Sequence, residues 1–227
     1  MPITTCIFDA YGTLFDVAAA ARTAAAEPGR ETFADHWPAI AETWRRKQLE
    51  YTWLRAITGD HTDFWQVTQD GLDYALEAEG LDGDADLRER LLQLYWELEA
   101  YPEVPEVLRT LKDRGLNTAI LSNGSRDMLK GAVDSAGIGD LLDDVLSVDS
   151  VGIFKPADLV YDLVIQRFGG AKADVLFVSS NGWDVGSAAG YGFTTAWVNR
   201  AGLPVDRLAA RPLHILPDLT RIPELAK

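Results

Sequence analysis

Most of the chain alternates between short apolar runs and longer stretches with an apolar residue every three or four positions. Apolar runs of this length indicate buried strands, and the longer periodicity indicates amphipathic helices. Strand and helix follow each other at the spacing of βαβ units, which predicts an α/β fold with a parallel sheet and helices on both faces. The predicted strands are residues 3–9, 117–123, 144–148, 174–180 and 194–198, and the helices between them are 105–115, 125–137 and 158–170.

Residues 16–100 break this rhythm. They show no convincing strand, and their periodicity predicts three helices, at 34–58, 62–79 and 84–100. The prolines of "YPEVP" (101–105) disfavour helix in the residues before them and mark the return to the sheet. We therefore predict a core domain of residues 1–15 and 101–227, with a helical insertion of residues 16–100 that forms a cap or lid.

Charge and composition narrow the classes of function. The chain has 227 residues and a formal net charge of −14, which argues against nucleic acid or an anionic membrane as a partner. It lacks the apolar run of roughly 20 residues that a membrane helix needs, and its start does not resemble a signal peptide. We expect a cytoplasmic protein. The single cysteine, Cys6, lies within an apolar run and is expected to be inert core.

Polar residues follow the predicted strands where a parallel sheet would bring them together. Ligands of open α/β sheets bind beyond the carboxyl ends of the strands. A carboxylate, hydroxyls, amides and a lysine at these ends could form one reactive site, although each motif alone would also suit a turn or a helix cap. In chain order these residues are Asp9, Tyr11, Thr13, Ser122, Asn123, Lys155, Ser179, Asn181 and Asp184.

The order of these motifs resembles the haloacid dehalogenase superfamily over the whole chain, and most specifically its L-2-haloacid dehalogenases. The phosphatases of that superfamily carry Asp-x-Asp-Gly-Thr in the first loop, whereas this chain has Tyr11 at the second acidic position. Only Asp184 remains as an acid in the last loop, so the resemblance implies no metal. The matching motifs are "DAYGTLFD" (9–16), "WRRKQLEYTWLR" (44–55), "ILSNGS" (120–125), "KPADLVY" (155–161) and "FVSSNGWD" (177–184).

The resemblance implies a Rossmann-like core and a two-step hydrolysis of L-2-haloalkanoic acids to D-2-hydroxyalkanoic acids. Asp9 would displace the halide and form an ester, which water would then hydrolyse. Arg45 would receive the halide. Ser122 and Asn123 would bind the substrate carboxylate, and Lys155 would keep Asp9 ionised with hydrogen bonds from Thr13 and Ser179. Asn181 and Asp184 would orient and activate the hydrolytic water, and Tyr161 would support the lysine.

The resemblance also suggests an apolar pocket and a homodimer. Tyr11, Leu49, Phe64 and Trp183 would surround the halogen and alkyl group, with core packing an equal alternative for Leu49 and Phe64. The stripe Leu87, Leu91, Leu94 and Leu98 predicts the core of the insertion or part of a dimer interface. Two residues depart from the family pattern as we know it: Arg46 stands where Gln is usual, and Gly182 where Ala is frequent.

Two other functions remain open from the sequence. A magnesium-dependent phosphatase would share the fold, and a non-catalytic binding module could retain it. His36, His61 and His214 are scattered and match no catalytic motif, so we expect surface or packing roles for them. The preferred interpretation needs no cofactor, because the carboxylate of Asp9 is itself the nucleophile.

Overall fold

The computed structural model describes residues 2–226 and has a parallel sheet at its centre. Within these residues six strands pair in the order β3-β2-β1-β4-β5-β6, and every pairing is parallel. The predicted α/β fold is confirmed. The strands are β1 (Thr5–Phe8), β2 (Asn117–Ser122), β3 (Asp144–Ser147), β4 (Val175–Ser179), β5 (Thr194–Val198) and β6 (His214–Leu216).

The helices form two groups along the chain. Four of them lie between β1 and β2 in the helical insertion: α1 (Ala19–Ala25), α2 (Glu31–Thr58), α3 (Phe64–Ala78) and α4 (Ala85–Trp96). The others accompany the sheet: α5 (Val104–Asp113), α6 (Arg126–Ala136), α7 (Asp158–Phe168), α8 (Gly182–Tyr191) and α9 (Ile222–Leu225). None of the helices within residues 2–226 is long and apolar enough to cross a bilayer.

The position of β1 explains where a site can form. It lies in the middle of the sheet, with β2 on one side and β4 on the other. The strand order reverses here, and such a switch point opens a crevice at the carboxyl ends of the neighbouring strands. Ile7 and Phe8 are fully buried, and the chain leaves the strand directly into Asp9. The apolar run therefore fixes the strand, and its end places the carboxylate in the crevice.

The helical insertion leaves and rejoins the core through two adjacent connections. Phe15 forms a β-bridge with Ala100, and the N–H of Asp16 donates to the carbonyl of Glu99 at 3.1 Å. The N–H of Tyr101 donates to the carbonyl of Leu14 at 2.9 Å. These contacts coincide with the predicted junctions, while the division into two domains stays a prediction.

Four helices and strands were not expected from the sequence. The structure adds α1, which lies in the alanine-rich stretch, together with α8, the short edge strand β6 and the short helix α9. The leucine stripe of the insertion belongs to the interior: Leu87, Leu91 and Leu98 are almost fully buried, and Leu94 packs against the same core. Leu87, Leu91 and Leu98 are therefore core of the insertion, as one of the two predictions has it, while a part in a dimer interface stays a prediction for the partly exposed Leu94.

Candidate active site

The first loop aims the carboxylate of Asp9 into the crevice. The N–H of Asp9 donates to the carbonyl of Val178 at 2.9 Å and so continues the ladder between β1 and β4. The hydroxyl of Thr13 donates to Asp9 Oδ2 at 3.1 Å, across one turn of the loop. Gly12 has φ +85°, and a Cβ there would meet Ser180 Oγ at 3.0 Å. Only glycine suits this turn, which brings Thr13 back to Asp9.

Lys155 joins two carboxylates in the interior. Its Nζ lies 3.2 Å from Asp9 Oδ1 and 2.8 Å from Asp184 Oδ2. Lys155 is 1% exposed and Asp184 is fully buried. Burial acts to lower the pKa of Lys155, but the charges of Asp184 and Asp9 outweigh it, and the pKa is raised. The ammonium of Lys155 therefore stays charged and lies between the two carboxylates.

Tyr161 completes the support of this lysine. Its hydroxyl donates to Asp184 Oδ1 at 2.9 Å, while Lys155 occupies the other carboxylate oxygen. Burial raises the pKa of Tyr161 well above its usual value, with Asp184 adding to the effect, so the phenol remains a donor. Both oxygens of Asp184 therefore have partners. In the structure this carboxylate contacts Lys155 and Tyr161, and its role toward the hydrolytic water stays a prediction.

The last loop adds an amide to the nucleophile. Asn181 Nδ2 donates to Asp9 Oδ2 at 2.9 Å. Ser179, for which a bond to Asp9 was expected, has another partner: its hydroxyl accepts the N–H of Asn181 at 3.1 Å. The neighbouring Ser180 donates its N–H to the hydroxyl of Thr13 at 2.8 Å. Ser179 therefore shapes the loop that presents Asn181, and Ser180 holds Thr13.

The second loop lies beside the first. The hydroxyl of Ser122 accepts the N–H of Gly124 at 3.1 Å, and Asn123 Oδ1 accepts the N–H of Lys155 at 2.9 Å. A Cβ on Gly124 would meet the ring of Tyr11 at 2.8 Å. Ser122 therefore shapes its own loop, and Asn123 holds this loop against the lysine loop. The close approach at Gly124 leaves the Tyr11 ring in contact with the loop backbone.

Arg45 reaches the site from the helical insertion. It lies on α2, and its guanidinium donates to the carbonyl of Tyr11 at 3.3 Å and to Asn181 Oδ1 at 3.2 Å. Both acceptors are neutral, and Asn181 uses its other atom on Asp9. Asn181 thus links the guanidinium of Arg45 to the carboxylate of Asp9. The guanidinium N–H groups that make neither of these bonds can donate to an anion. Arg46 points outward, with 58% of its side chain exposed.

Aromatic rings form one wall of the crevice. The Tyr11 ring lies 5.7 Å from Phe64 and stacks on Tyr95 at 5.6 Å. Burial raises the pKa of Tyr11 well above its usual value, so this wall is neutral. Trp183 packs edge-on against Trp53 at 5.4 Å. The remaining predicted pocket residue, Leu49, is half-buried on α2.

Sequence analysis missed a buried polar network behind this wall. Gln48 is 1% exposed, and its Nε2 donates to the hydroxyl of Thr68 at 2.9 Å. The hydroxyl of Tyr95 donates to Gln48 Oε1 at 3.3 Å. Helices α2, α3 and α4 are tied together by these three side chains. The only available signal was the position of Gln48, three residues after Arg45, and it is indistinguishable from that of an ordinary surface glutamine.

The space between the two carboxylates of the site holds the ammonium of Lys155. Within residues 2–226, no group of three or more His, Cys, Asp or Glu side chains could hold a metal ion. The three histidines lie elsewhere: His36 pairs with Glu79 at 2.9 Å, His61 packs on Phe154, and His214 begins β6. The ammonium of Lys155 occupies the space between Asp9 and Asp184.

This fold, with Asp9, Lys155 and Asp184 clustered at the strand ends, can be compared with known hydrolases. The chain belongs to the haloacid dehalogenase-like hydrolase family, whose model matches residues 3–192. It is 43% identical to (S)-2-haloacid dehalogenase 1 of Pseudomonas sp. (strain CBS-3), with 99% of this chain and 96% of that protein covered. It is 37% identical to haloacetate dehalogenase H-2 of Moraxella sp. (strain B), covering 98% and 97%.

A solved structure of a dehalogenase also resembles this chain in sequence and fold. The L-2-haloacid dehalogenase from Xanthobacter autotrophicus with chloropropionic acid covalently bound is 40% identical, and its fold matches with a TM-score of 0.85 over 98% of each chain. The resemblance recognised in the sequence is therefore confirmed. The matches to named dehalogenases favour neither a phosphatase nor a non-catalytic module.

Proposed function

We propose that this protein hydrolyses L-2-haloalkanoic acids to D-2-hydroxyalkanoic acids through an ester on Asp9. The observation that carries the proposal is the surroundings of that carboxylate. Lys155 contacts one oxygen at 3.2 Å, and Asn181 and Thr13 contact the other at 2.9 and 3.1 Å. Donors on both oxygens stabilise the anion. The similar dehalogenases, one of them with chloropropionic acid covalently bound, supply the substrate class.

In the first step an oxygen of Asp9 attacks C2 of the substrate from the side opposite the halogen. The new carbon–oxygen bond forms as the carbon–halogen bond breaks, and the halide leaves with the bonding electron pair. Backside attack inverts C2. Arg45 is suited to receive the halide, because its guanidinium lies beside Asn181 and Tyr11 without a carboxylate partner among the described residues.

In the second step water attacks the carbonyl carbon of the Asp9 ester. The alkoxide of the product leaves with one proton of the attacking water, the other proton is released to solvent, and Asp9 is restored as a carboxylate. The hydroxy acid retains the inverted C2. Asn181 is suited to orient the water, because its amide already contacts Asp9. Asp184 contributes through Lys155.

Charge is the main obstacle to the first step. At about 4 Å and an effective dielectric constant near 20, the substrate carboxylate and Asp9 repel each other by roughly 4 kcal/mol. The site contains the cations Lys155 and Arg45 beside the anions Asp9 and Asp184. The substrate carboxylate is placed against the second loop, at Ser122 and Asn123, where backbone N–H groups could meet it.

We also propose that the reaction needs no metal and that the enzyme is a cytoplasmic homodimer. The fixed ammonium of Lys155 supports the first point, because a divalent cation between Asp9 and Asp184 would have to displace it. Tyr11, in place of a second acid, supports dehalogenation over phosphate transfer, because halide leaves without a proton while an alkoxide needs one. The homodimer follows from the family resemblance and awaits a measurement of mass in solution.

Halide release from paired L and D acids tests this function. The 2-chloro and 2-bromo propionates of each hand are incubated with enzyme, and halide and the hand of the lactate are measured. We expect halide from the L acids and D-lactate as the product, because one fixed carboxylate permits one direction of approach. Equal turnover of the D acids, or magnesium-dependent hydrolysis of phosphate esters without halide release, would contradict the proposal.

A further inference from the structure

A cavity beside Arg45 lies among the residues of the helical insertion. It has a volume of about 330 Å³ and is lined by residues of α2, the segment before α1, and Tyr95 of α4. Gln48 and Tyr95 are buried at its inner end, whereas Pro38 and Glu42 are exposed at its mouth. The cavity therefore runs from solvent to the interior of the helical insertion.

Arg45 belongs to both the cavity and the active site. It lines the cavity, and its guanidinium also donates to Asn181 and to the carbonyl of Tyr11. These bonds are 3.2 and 3.3 Å long and go to neutral acceptors. No carboxylate among residues 2–226 forms an ion pair with this guanidinium. Its positive charge can therefore turn to an anion on either side without breaking a salt bridge.

The carboxylate of Asp9 has little direct contact with solvent. Asp9 is 6% exposed, and Thr13, Ser179 and Asp184 around it are fully buried. A halide released there has to leave before the next substrate can bind, and its charge makes an apolar route costly. Since one water occupies about 30 Å³ of liquid, the cavity beyond Arg45 has room for an ion with part of its hydration shell.

We propose that this cavity is the halide passage, through which Arg45 transfers the released ion from the Asp9 site to solvent. The proposal rests on the proposed function. Glu42 is exposed at the mouth, where solvent screens its charge, so it does not close the route to an anion. Trp37 and Trp44 make part of the wall apolar, so the charge of the halide is offset along this route by Arg45, the cationic side chain of the lining.

Filling the cavity tests the proposal. Ala41 lies four residues before Arg45 on α2 and lines the cavity, so Ala41→Phe would narrow it. The matched control is Ala39→Phe, the same substitution on the same helix at an exposed position outside the lining. Ala41→Val is a milder plug for the case in which the larger side chain prevents folding, which thermal unfolding would show.

The readout compares halide that has been formed with halide that has escaped. With enzyme in excess over L-2-chloro- and L-2-bromopropionate, acid-quenched samples give the total halide, and a fluorophore quenched by halide reports the ion free in solution. In the wild type and Ala39→Phe the two traces should agree within about twofold. In Ala41→Phe total halide should form at the wild-type rate, while free halide should lag at least tenfold, and more for bromide than for chloride.

Two outcomes would overturn the passage. Free halide could follow total halide in Ala41→Phe and Ala41→Val as closely as in the control, or both plugs could slow the formation of total halide itself. The first result places the exit elsewhere, and the second shows that the cavity serves the chemical step. A wild-type enzyme that forms no halide would instead refute the proposed function, which keeps the two failures apart.

Discussion

Replacing Lys155 with methionine would leave two buried carboxylates without their cation. The side chain of Lys155 is 1% exposed, and those of Asp9 and Asp184 are 9% and 0% exposed. Methionine keeps most of the apolar stem of the lysine and removes the charge. The variant therefore isolates the electrostatic contribution of the ammonium with little change in packing.

We expect Lys155→Met to lower the free energy of unfolding by about 3 to 5 kcal/mol, the usual cost of breaking a buried ion pair from one side. Stabilities of natural domains are commonly about 5 to 15 kcal/mol, so the loss is large. Adding Asp184→Asn should recover most of it, because the amide oxygen still accepts from Tyr161 and one unpaired charge disappears. Dehalogenation should stay absent in both variants.

The loss of unfolding free energy in Lys155→Met should also depend on pH. Burial raises the pKa of Asp184, and Lys155 opposes that rise in the wild type. Without the lysine, the folded-state pKa stands further above the unfolded value, so protonation favours the folded state. The loss of stability in Lys155→Met should therefore be largest above the folded-state pKa of Asp184 and should shrink as the pH falls.

Urea unfolding followed by tryptophan fluorescence measures these changes. The control is Lys130→Met, because Lys130 pairs with Asp134 on the surface and its side chain is 74% exposed. That substitution should change stability little. A loss below about 1 kcal/mol in Lys155→Met, or no recovery on adding Asp184→Asn, would refute Lys155 as the cation that compensates the two buried carboxylates.

Three further predictions follow from the site. Arg45→Lys should lower the rate of halide formation by about ten- to a hundredfold, since charged hydrogen bonds contribute roughly 1.5 to 3 kcal/mol, whereas Arg46→Ala should change it little; equal losses would contradict the assignment. Dialysis against EDTA should leave dehalogenation intact, and activity restored by added magnesium would contradict metal independence. Burial raises the pKa of the Cys6 thiol to about 12, so iodoacetamide should leave Cys6 unmodified in the native protein at neutral pH and modify it in urea.

The sequence predicts the sheet well where buried strands are continuous apolar runs. β1 and β4 are of this kind, and their ends place Asp9 and Asn181 correctly in the crevice. The edge strand β6 has three residues, "HIL", of which only Leu216 is buried. So short a segment carries no detectable alternation, and its pairing with β5 depends on tertiary contacts.

Helix α8 was missed for a different reason. Gly182, Gly186 and Gly190 recur every four residues, and glycine disfavours helix. In the structure this stripe faces another segment of the chain: a Cβ on Gly186 would meet Leu208 at 3.0 Å, and one on Gly190 would meet Ala210 at 3.7 Å. The glycines thus allow the 206–210 segment to lie against the helix, which local propensity cannot reveal.

The candidate site was predictable as a set of loops, and its individual contacts were not. Strand order and motifs bring Asp9, Lys155 and Asp184 together, as the sequence suggested. The exchange of partners between Ser179 and Ser180 depends on which hydroxyl the loop turns inward. Side-chain direction within a loop is set by neighbouring backbone, and a sequence pattern does not specify it.

A single turnover in oxygen-18 water tests the central claim, that Asp9 is the nucleophile, most directly. With enzyme in excess over L-2-chloropropionate, water attacks the carbonyl carbon of the ester, so the account predicts heavy oxygen in the peptide that contains Asp9 and none in the hydroxyl of the lactate. Asp9→Asn provides the control and should form no ester. Heavy oxygen in the lactate with an unlabelled Asp9 would show that water attacks C2 directly, and would contradict the account.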